Sequence, residues 1–235
     1  MTTLKKLRRD LRSIADPDKA IVLQRFFKTG EGEYGEGDKF LGIVVPKQRE
    51  IAKIHHELPM NDLKILLGSP IHEERSTALL ILVLQFTQAP MQKQKEIYNF
   101  YFANVVGINN WDLVDLSAPR IVGVYLLDKD KSFLHKLIGS NNLWKRRIAV
   151  VATWWFIRNN YFTETLLLTK KSLTDQEDLI HKACGWMLRE IGKRDFIILN
   201  NFLQKHYQNM PRTMLRYAIE RFEENKRQKY LKSQI

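Results

Sequence analysis

The sequence is poor in the residues that staple, punctuate or anchor a chain. Its 235 residues include one cysteine, Cys184, so neither a disulfide framework within the chain nor a thiolate metal cluster can form. A lone thiol fits a reducing cytoplasm, the expected compartment. Glycine and proline number only 11 and 7, and Gly30, Gly32, Gly35, Gly37 and Gly42 fall within one short stretch. The longest apolar runs, residues 78–84 and 148–157, are well short of the roughly 20 residues that cross a bilayer, so no membrane partner is expected. The opening MTTLKKLRRDLRSIADPDKA is cationic but has no apolar h-region and does not read as a secretory signal. The histidines fall at no metal-ligand spacing, and no nucleophile elbow, phosphate loop or dinucleotide fingerprint occurs; neither metal nor organic cofactor is expected.

What the chain does have is positive charge. Thirty-eight basic against 26 acidic residues leave +12. The excess is uneven: residues 1–60 carry +3, 61–120 carry −1, 121–180 carry +3 and 181–235 carry +7. Such a surface favours polyanions, because each phosphate it neutralises releases condensed counterions.

Apolar residues recur at helical spacing. Ile180, Cys184, Met187 and Ile191 follow steps of four, three and four, placing all four on one helix face. Cys184 lies on that stripe and reads as core. Val114, Ala118, Ile121 and Tyr125 repeat the steps, with Pro119 expected to restart the helix. No period-two run appears, and Pro46 suits the first turn of a helix. The fold expected is all-α.

A longer period overlies the short one. Ser69 precedes Arg75, Ser140 precedes Arg147, Asp175 precedes Lys182 and Asn209 precedes Arg216, each by six or seven residues. The last three bases are 35 and 34 residues apart, and further helices are expected near 90–105, 130–138 and 163–172. A helix pair every ~35 residues is the mark of an α-solenoid, whose repeats bury their apolar stripes on one another and line a concave groove. The expected organisation is one repeat domain over 1–235, with a glycine-rich loop at 28–39 and a basic tail at 223–235. The loop carries four carboxylates and reads as a flexible connector, with a substrate-facing lid as the alternative. The tail reads as a frayed helix end.

Three constellations remain. Trp111 and Asp115 in NWDLVD are four apart and share a helix face, whereas Asp112 suits the free amides of a helix start. Lys182, Trp186, Arg189 and Lys193 form a stripe of cations around an indole. Arg146 and Arg147 follow Trp144, with Arg147 at the repeat position of Lys182.

WDLVD at 111–115, NLWKRR at 142–147 and KACGWMLRE at 182–190, together with Phe26-Phe27-Lys28 and MPRTMLRYAIERF at 210–222, resemble the bacterial AlkD-type family of DNA alkylation-repair glycosylases. The resemblance spans nearly the whole chain. It implies HEAT-like repeats that cradle duplex DNA in a basic concavity, and hydrolytic release of N3- or N7-alkylated purines such as 3-methyladenine and 7-methylguanine. It implies catalytic roles for Asp115, Trp111 and Trp186, and DNA contacts by Arg147. Lys182, Arg189, Lys193, Arg146 and Phe26 join Arg147 as expected DNA-binding residues; Phe26 stands where some members have tyrosine. The partner implied is double-stranded DNA containing alkylated purines, met by a monomer. The alternative is a non-catalytic HEAT-like module that binds nucleic acid or protein through the same groove.

Overall fold

A computed structural model describes residues 3–235. Among the described residues the chain is helical throughout and forms no strand; one isolated parallel bridge joins Lys39 and Ile71. No helix is long and apolar enough to cross a membrane. The architecture is all-α, a succession of helical repeats. It divides into two compact units, residues 1–117 and 118–235.

The first unit holds α1 (Leu4–Arg12), α2 (Pro17–Phe26), α3 (Val45–Ile54), α4 (Met60–Leu67), α5 (His72–Gln88), α6 (Met91–Ala103) and most of α7 (Trp111–Ala118). Pro46 stands in the first turn of α3, where its missing N–H costs no bond. α5 is the centre, packed by α1, α3, α4 and α6. Residues 78–83 of its apolar run are all buried and leave no solvent face, so its amphipathic pattern is weak. The entry turn of α5 is polar yet equally buried. Glu73 accepts the backbone N–H groups of Leu41, Gly42 and Ile43 at 2.9, 2.8 and 3.1 Å, and Glu74 takes a bidentate bond from Arg8. A buried carboxylate needs such partners to remain charged.

In the second unit the helix begun at α7 runs on through Pro119. It does not restart there: residues Pro119–Gly123 form a π-helical turn, which continues into α8 (Val124–Leu126). Widening the turn accommodates a ring that would otherwise strike the preceding carbonyl. α9 (Ser132–Leu137), α10 (Leu143–Arg158), α11 (Thr163–Lys171), α12 (Asp178–Gly192), α13 (Phe196–His206), α14 (Arg212–Ala218) and α15 (Glu224–Leu231) follow. The π-helical turn packs on α10, α10 on α12, and α12 on α14. Ile180, Cys184, Met187 and Ile191 are all fully buried, and burial pushes the Cys184 thiol up to about 12, as suits a core filler. Gly185 sits where α12 meets α14; a Cβ there would lie 2.5 Å from both the Met214 carbonyl and the Tyr217 Cβ. The basic tail is packed, with Tyr230 buried against Tyr207 and Phe222.

The repeat shows most clearly at three helix entrances. Ser69 Oγ accepts the N–H of Ile71, Ser140 Oγ that of Asn142, and Asp175 Oδ1 that of Glu177, at 3.1, 3.2 and 2.9 Å. The carbonyl of the same residue is then met six positions on: Arg75 Nη1 on Ser69, Arg146 Nη1 on Ser140 and His181 Nε2 on Asp175, at 2.8, 2.9 and 2.7 Å. Each turn thereby satisfies backbone groups that would be orphaned before a helix. The ~35-residue period is therefore structural, but the capture falls on Arg146 and His181 rather than on Arg147 and Lys182.

Candidate active site

In the first unit, α7 opens on Trp111, whose N–H is held by the side chain of the fully buried Asn110 at 2.8 Å. The indole is partly exposed. Its face stacks on Phe27 (centroids 5.3 Å apart, planes at 22°), and the 60%-exposed Phe26 meets it edge-on at 5.9 Å. Trp111 Nε1 donates to the Tyr34 hydroxyl at 3.2 Å. Asp115 stands four residues after Trp111 and is half-buried, so an acid and an indole occupy one face of α7.

Behind them lies a buried charged chain. Asp112 Oδ2 is 2.7 Å from His72 Nε2, His72 Nδ1 is 3.2 Å from Asp38 Oδ2, and Arg75 Nη2 donates to Asp38 at 2.6 Å. Asp38, His72 and Arg75 are each 5% exposed or less. Burial alone would lower the His72 pKa, but the bond and charge of Asp112, then the bond to Asp38, outweigh it and raise the imidazole to about 9. Burial likewise opposes the Asp38 charge, yet His72 and Arg75 hold its carboxyl below the usual range. Two acids face two cations. Both ring nitrogens of His72 are occupied, so it acts as a bridge between elements rather than as a proton donor to a ligand.

In the second unit, Trp186 is partly exposed and its Nε1 donates to Glu190 Oε1 at 3.2 Å. The cations around it have acidic neighbours: Lys182 pairs with Asp178 at 2.8 Å, Lys193 with Glu190, and Arg189 with Glu220. Arg146 pairs with Asp175 at 2.8 Å. Arg147 is 4% exposed, and its Nη1 donates to the Leu179 carbonyl at 2.6 Å. Arg146 and Arg147 thus tie the first turn of α10 to the turn before α12 and to its second residue. Trp154, Arg158, Glu190, Lys193 and Arg194 line an open cavity of about 480 Å³, with the Arg158 guanidinium 5.1 Å over the Trp154 ring. Among the described residues, no three His, Cys, Asp or Glu side chains gather in a way that could hold a metal ion.

A model of the family described as DNA alkylation repair enzyme matches residues 7–222 of the chain. The chain belongs to that family. Like the DNA alkylation repair enzymes, it has a role in the repair of alkylated DNA, with DNA as its substrate. Among the solved structures that share the fold are the following two. One, titled a predicted DNA alkylation repair enzyme from Enterococcus faecalis, is 16% identical, with 89% of this chain and 97% of that one covered and a TM-score of 0.67. The other, smu.31 from Streptococcus mutans UA159, is 17% identical, with 92% and 96% covered and a TM-score of 0.51. No curated protein matches.

For this DNA alkylation repair family member, the first unit contains Phe26, Trp111 and Asp115, and the second contains Arg146, Arg147, Lys182, Trp186, Arg189 and Lys193. Sequence reasoning did not single out Tyr34, Asp38 or His72. It assigned Asp112 to free amides, and Asp112 Oδ1 does accept the Leu113 N–H at 2.8 Å while its other oxygen meets His72. The glycine-rich segment is docked rather than a free connector. Gly35 approaches so closely that a Cβ would lie 2.5 Å from the Phe27 carbonyl. The signal that could have found the cluster is the run His72-Glu73-Glu74-Arg75 at the head of a helix that then turns apolar. Charges on such a helix are buried and must be paired.

Proposed function

We propose that the chain hydrolyses the N-glycosidic bond of N3- or N7-alkylated purines in duplex DNA, with Asp115 as the catalytic carboxylate. The observation that carries this reading is the pairing of Asp115 with a partly exposed, laterally held Trp111 on one face of α7. Alkylation gives the purine a positive charge. When the bond from C1′ to the base breaks, both electrons leave with the purine, which departs neutral. The sugar takes up the charge as an oxocarbenium-like centre, where a carboxylate is most stabilising. Water then bonds to C1′ and loses a proton to solvent, leaving an abasic site; Asp115 positions that water. Trp111 offers an electron-rich face to the developing cation, worth about 0.5–2 kcal/mol.

Arg146, Lys182, Arg189, Lys193 and Phe26 are proposed to hold the DNA without reading sequence, and Arg147, buried and bonded to the Leu179 carbonyl, to fix the start of α12 beside them. For the paired cations, phosphates compete with Asp175, Asp178, Glu190 and Glu220. Asp115→Asn is expected to lower single-turnover release of 7-methylguanine from duplex DNA by about 100-fold or more while leaving DNA affinity within a few fold. Undiminished release removes the carboxylate role. DNA binding by the native chain with no base release leaves a non-catalytic binding module.

A further inference from the structure

The glycine-rich segment 28–39 is tied to the start of α7 twice, by unrelated chemistry. At its middle, the Tyr34 hydroxyl accepts the Trp111 indole N–H at 3.2 Å. At its end, Asp38 is joined through His72 to Asp112, the residue next to Trp111, by contacts of 3.2 and 2.7 Å. The segment itself is braced. Gly35 N–H donates to the Lys28 carbonyl at 3.0 Å, Lys39 N–H to the Pro70 carbonyl at 2.9 Å, and His72 N–H to the Lys39 carbonyl at 2.8 Å. Phe40 stacks on the His72 imidazole at 4.6 Å, and Phe27 lies between that ring and the indole, 5.0 Å from one and 5.3 Å from the other. Every contact of this set falls within the first unit.

We propose that Tyr34, together with Asp38 and His72, positions the Trp111 indole for the reaction, so that the glycine-rich segment is a fixed part of the site. This rests on the function proposed above. An indole attracts a developing cation through its ring face only, and a ring free to turn about two side-chain torsions offers that face part of the time. The stack on Phe27 fixes the plane of the indole, whereas the Tyr34 bond fixes rotation within that plane. The His72 bridge holds the backbone turn from which Trp111 projects. None of these groups need touch DNA. Tyr34 therefore acts through Trp111 and on the rate of the chemical step, with no demand on affinity.

The decisive experiment is a double-mutant cycle in the full chain, using single-turnover release of 7-methylguanine from duplex DNA. Tyr34→Phe removes only the hydroxyl and is expected to slow release about three- to tenfold, a typical net value for one hydrogen bond, with Kd for DNA and the thermal midpoint unchanged. In a Trp111→Phe background, which has no indole N–H to orient, the same substitution is expected to have no further effect. An equal loss in both backgrounds, or none in the native chain, overturns the positioning role while an Asp115-dependent rate leaves the reaction standing.

The Trp111 indole resonance, assigned by its absence in Trp111→Phe, is a readout independent of turnover and is expected to shift in Tyr34→Phe; an unmoved resonance overturns the tie itself. A native chain that releases no base overturns the proposed reaction, and the indole resonance then decides whether the segment holds Trp111. His72→Gln probes the second tie, but its cost to stability makes the half-buried Tyr34 the deciding position.

Discussion

The first compact unit carries 16 basic and 15 acidic residues, a net charge of +1, while the second carries 22 and 11, a net charge of +11. In the near-neutral unit the notable charges are buried and balanced, as in the chain from Asp112 through His72 and Asp38 to Arg75. In the basic unit the pairs lie along α12 and at its edges, closer to water, and excess cations remain beyond them. The same +12 total thus divides by purpose. Buried charge holds a side chain in place, and exposed charge of one sign draws a polyanion at long range.

Arg75 and Arg146 give the sharpest comparison, since each captures the carbonyl six residues before it. Arg75→Met leaves Asp38 buried beside His72 without its guanidinium and is expected to cost about 3–5 kcal/mol. Arg146→Met, whose ion pair is more open, is expected to cost less, about 1–3 kcal/mol. Urea denaturation of both variants tests the ranking; the reverse order breaks the contrast between a buried and an open charge system.

The pH dependence of stability comes next. His72 has its pKa raised from 6.5 to about 9, so its contribution is fully present below 6.5 and is lost as pH rises through about 9. The groups facing it are Asp38, Asp112 and Arg75, with Glu73 adjacent but turned to the backbone at 41–43. The native chain should therefore lose stability on the order of 3 kcal/mol relative to His72→Gln between pH 6 and 10. Parallel melting curves for the two proteins would show that the bridge carries no such charge.

Glu190 gives the smallest effect. It accepts from Trp186 and pairs with Lys193, so Glu190→Gln frees a cation in the basic unit. DNA affinity is expected to rise about two- to fivefold, with a salt slope steeper by up to about one. Unchanged binding would mean that the charge of the second unit acts elsewhere than on this stripe.

Much of the fold was legible because helical order is local. Ile180, Cys184, Met187 and Ile191 lie within a few turns of one helix, and all four are buried as their spacing requires. The shared helix face of Trp111 and Asp115 was legible for the same reason. Pro119 was misjudged because a π turn absorbs a proline that an ordinary α turn would not. The basic stripe on α12 was read without its counter-charges: Glu190 is local but was overlooked, and Glu220 lies 31 residues from Arg189. His72 is 34 residues from Asp38 and 40 from Asp112, separations at which no periodicity survives.

The amino-acid sequence by itself determined the helical class, the ~35-residue recurrence, the inert buried thiol and the lopsided charge, because each follows from composition or from neighbours a few positions apart. Tertiary structure alone decided which charges are buried and how they pair. It also decided that a segment rich in glycine and acid is held against Trp111. A buried charge can persist only where packing supplies its partner, and that partner comes from a distant part of the chain.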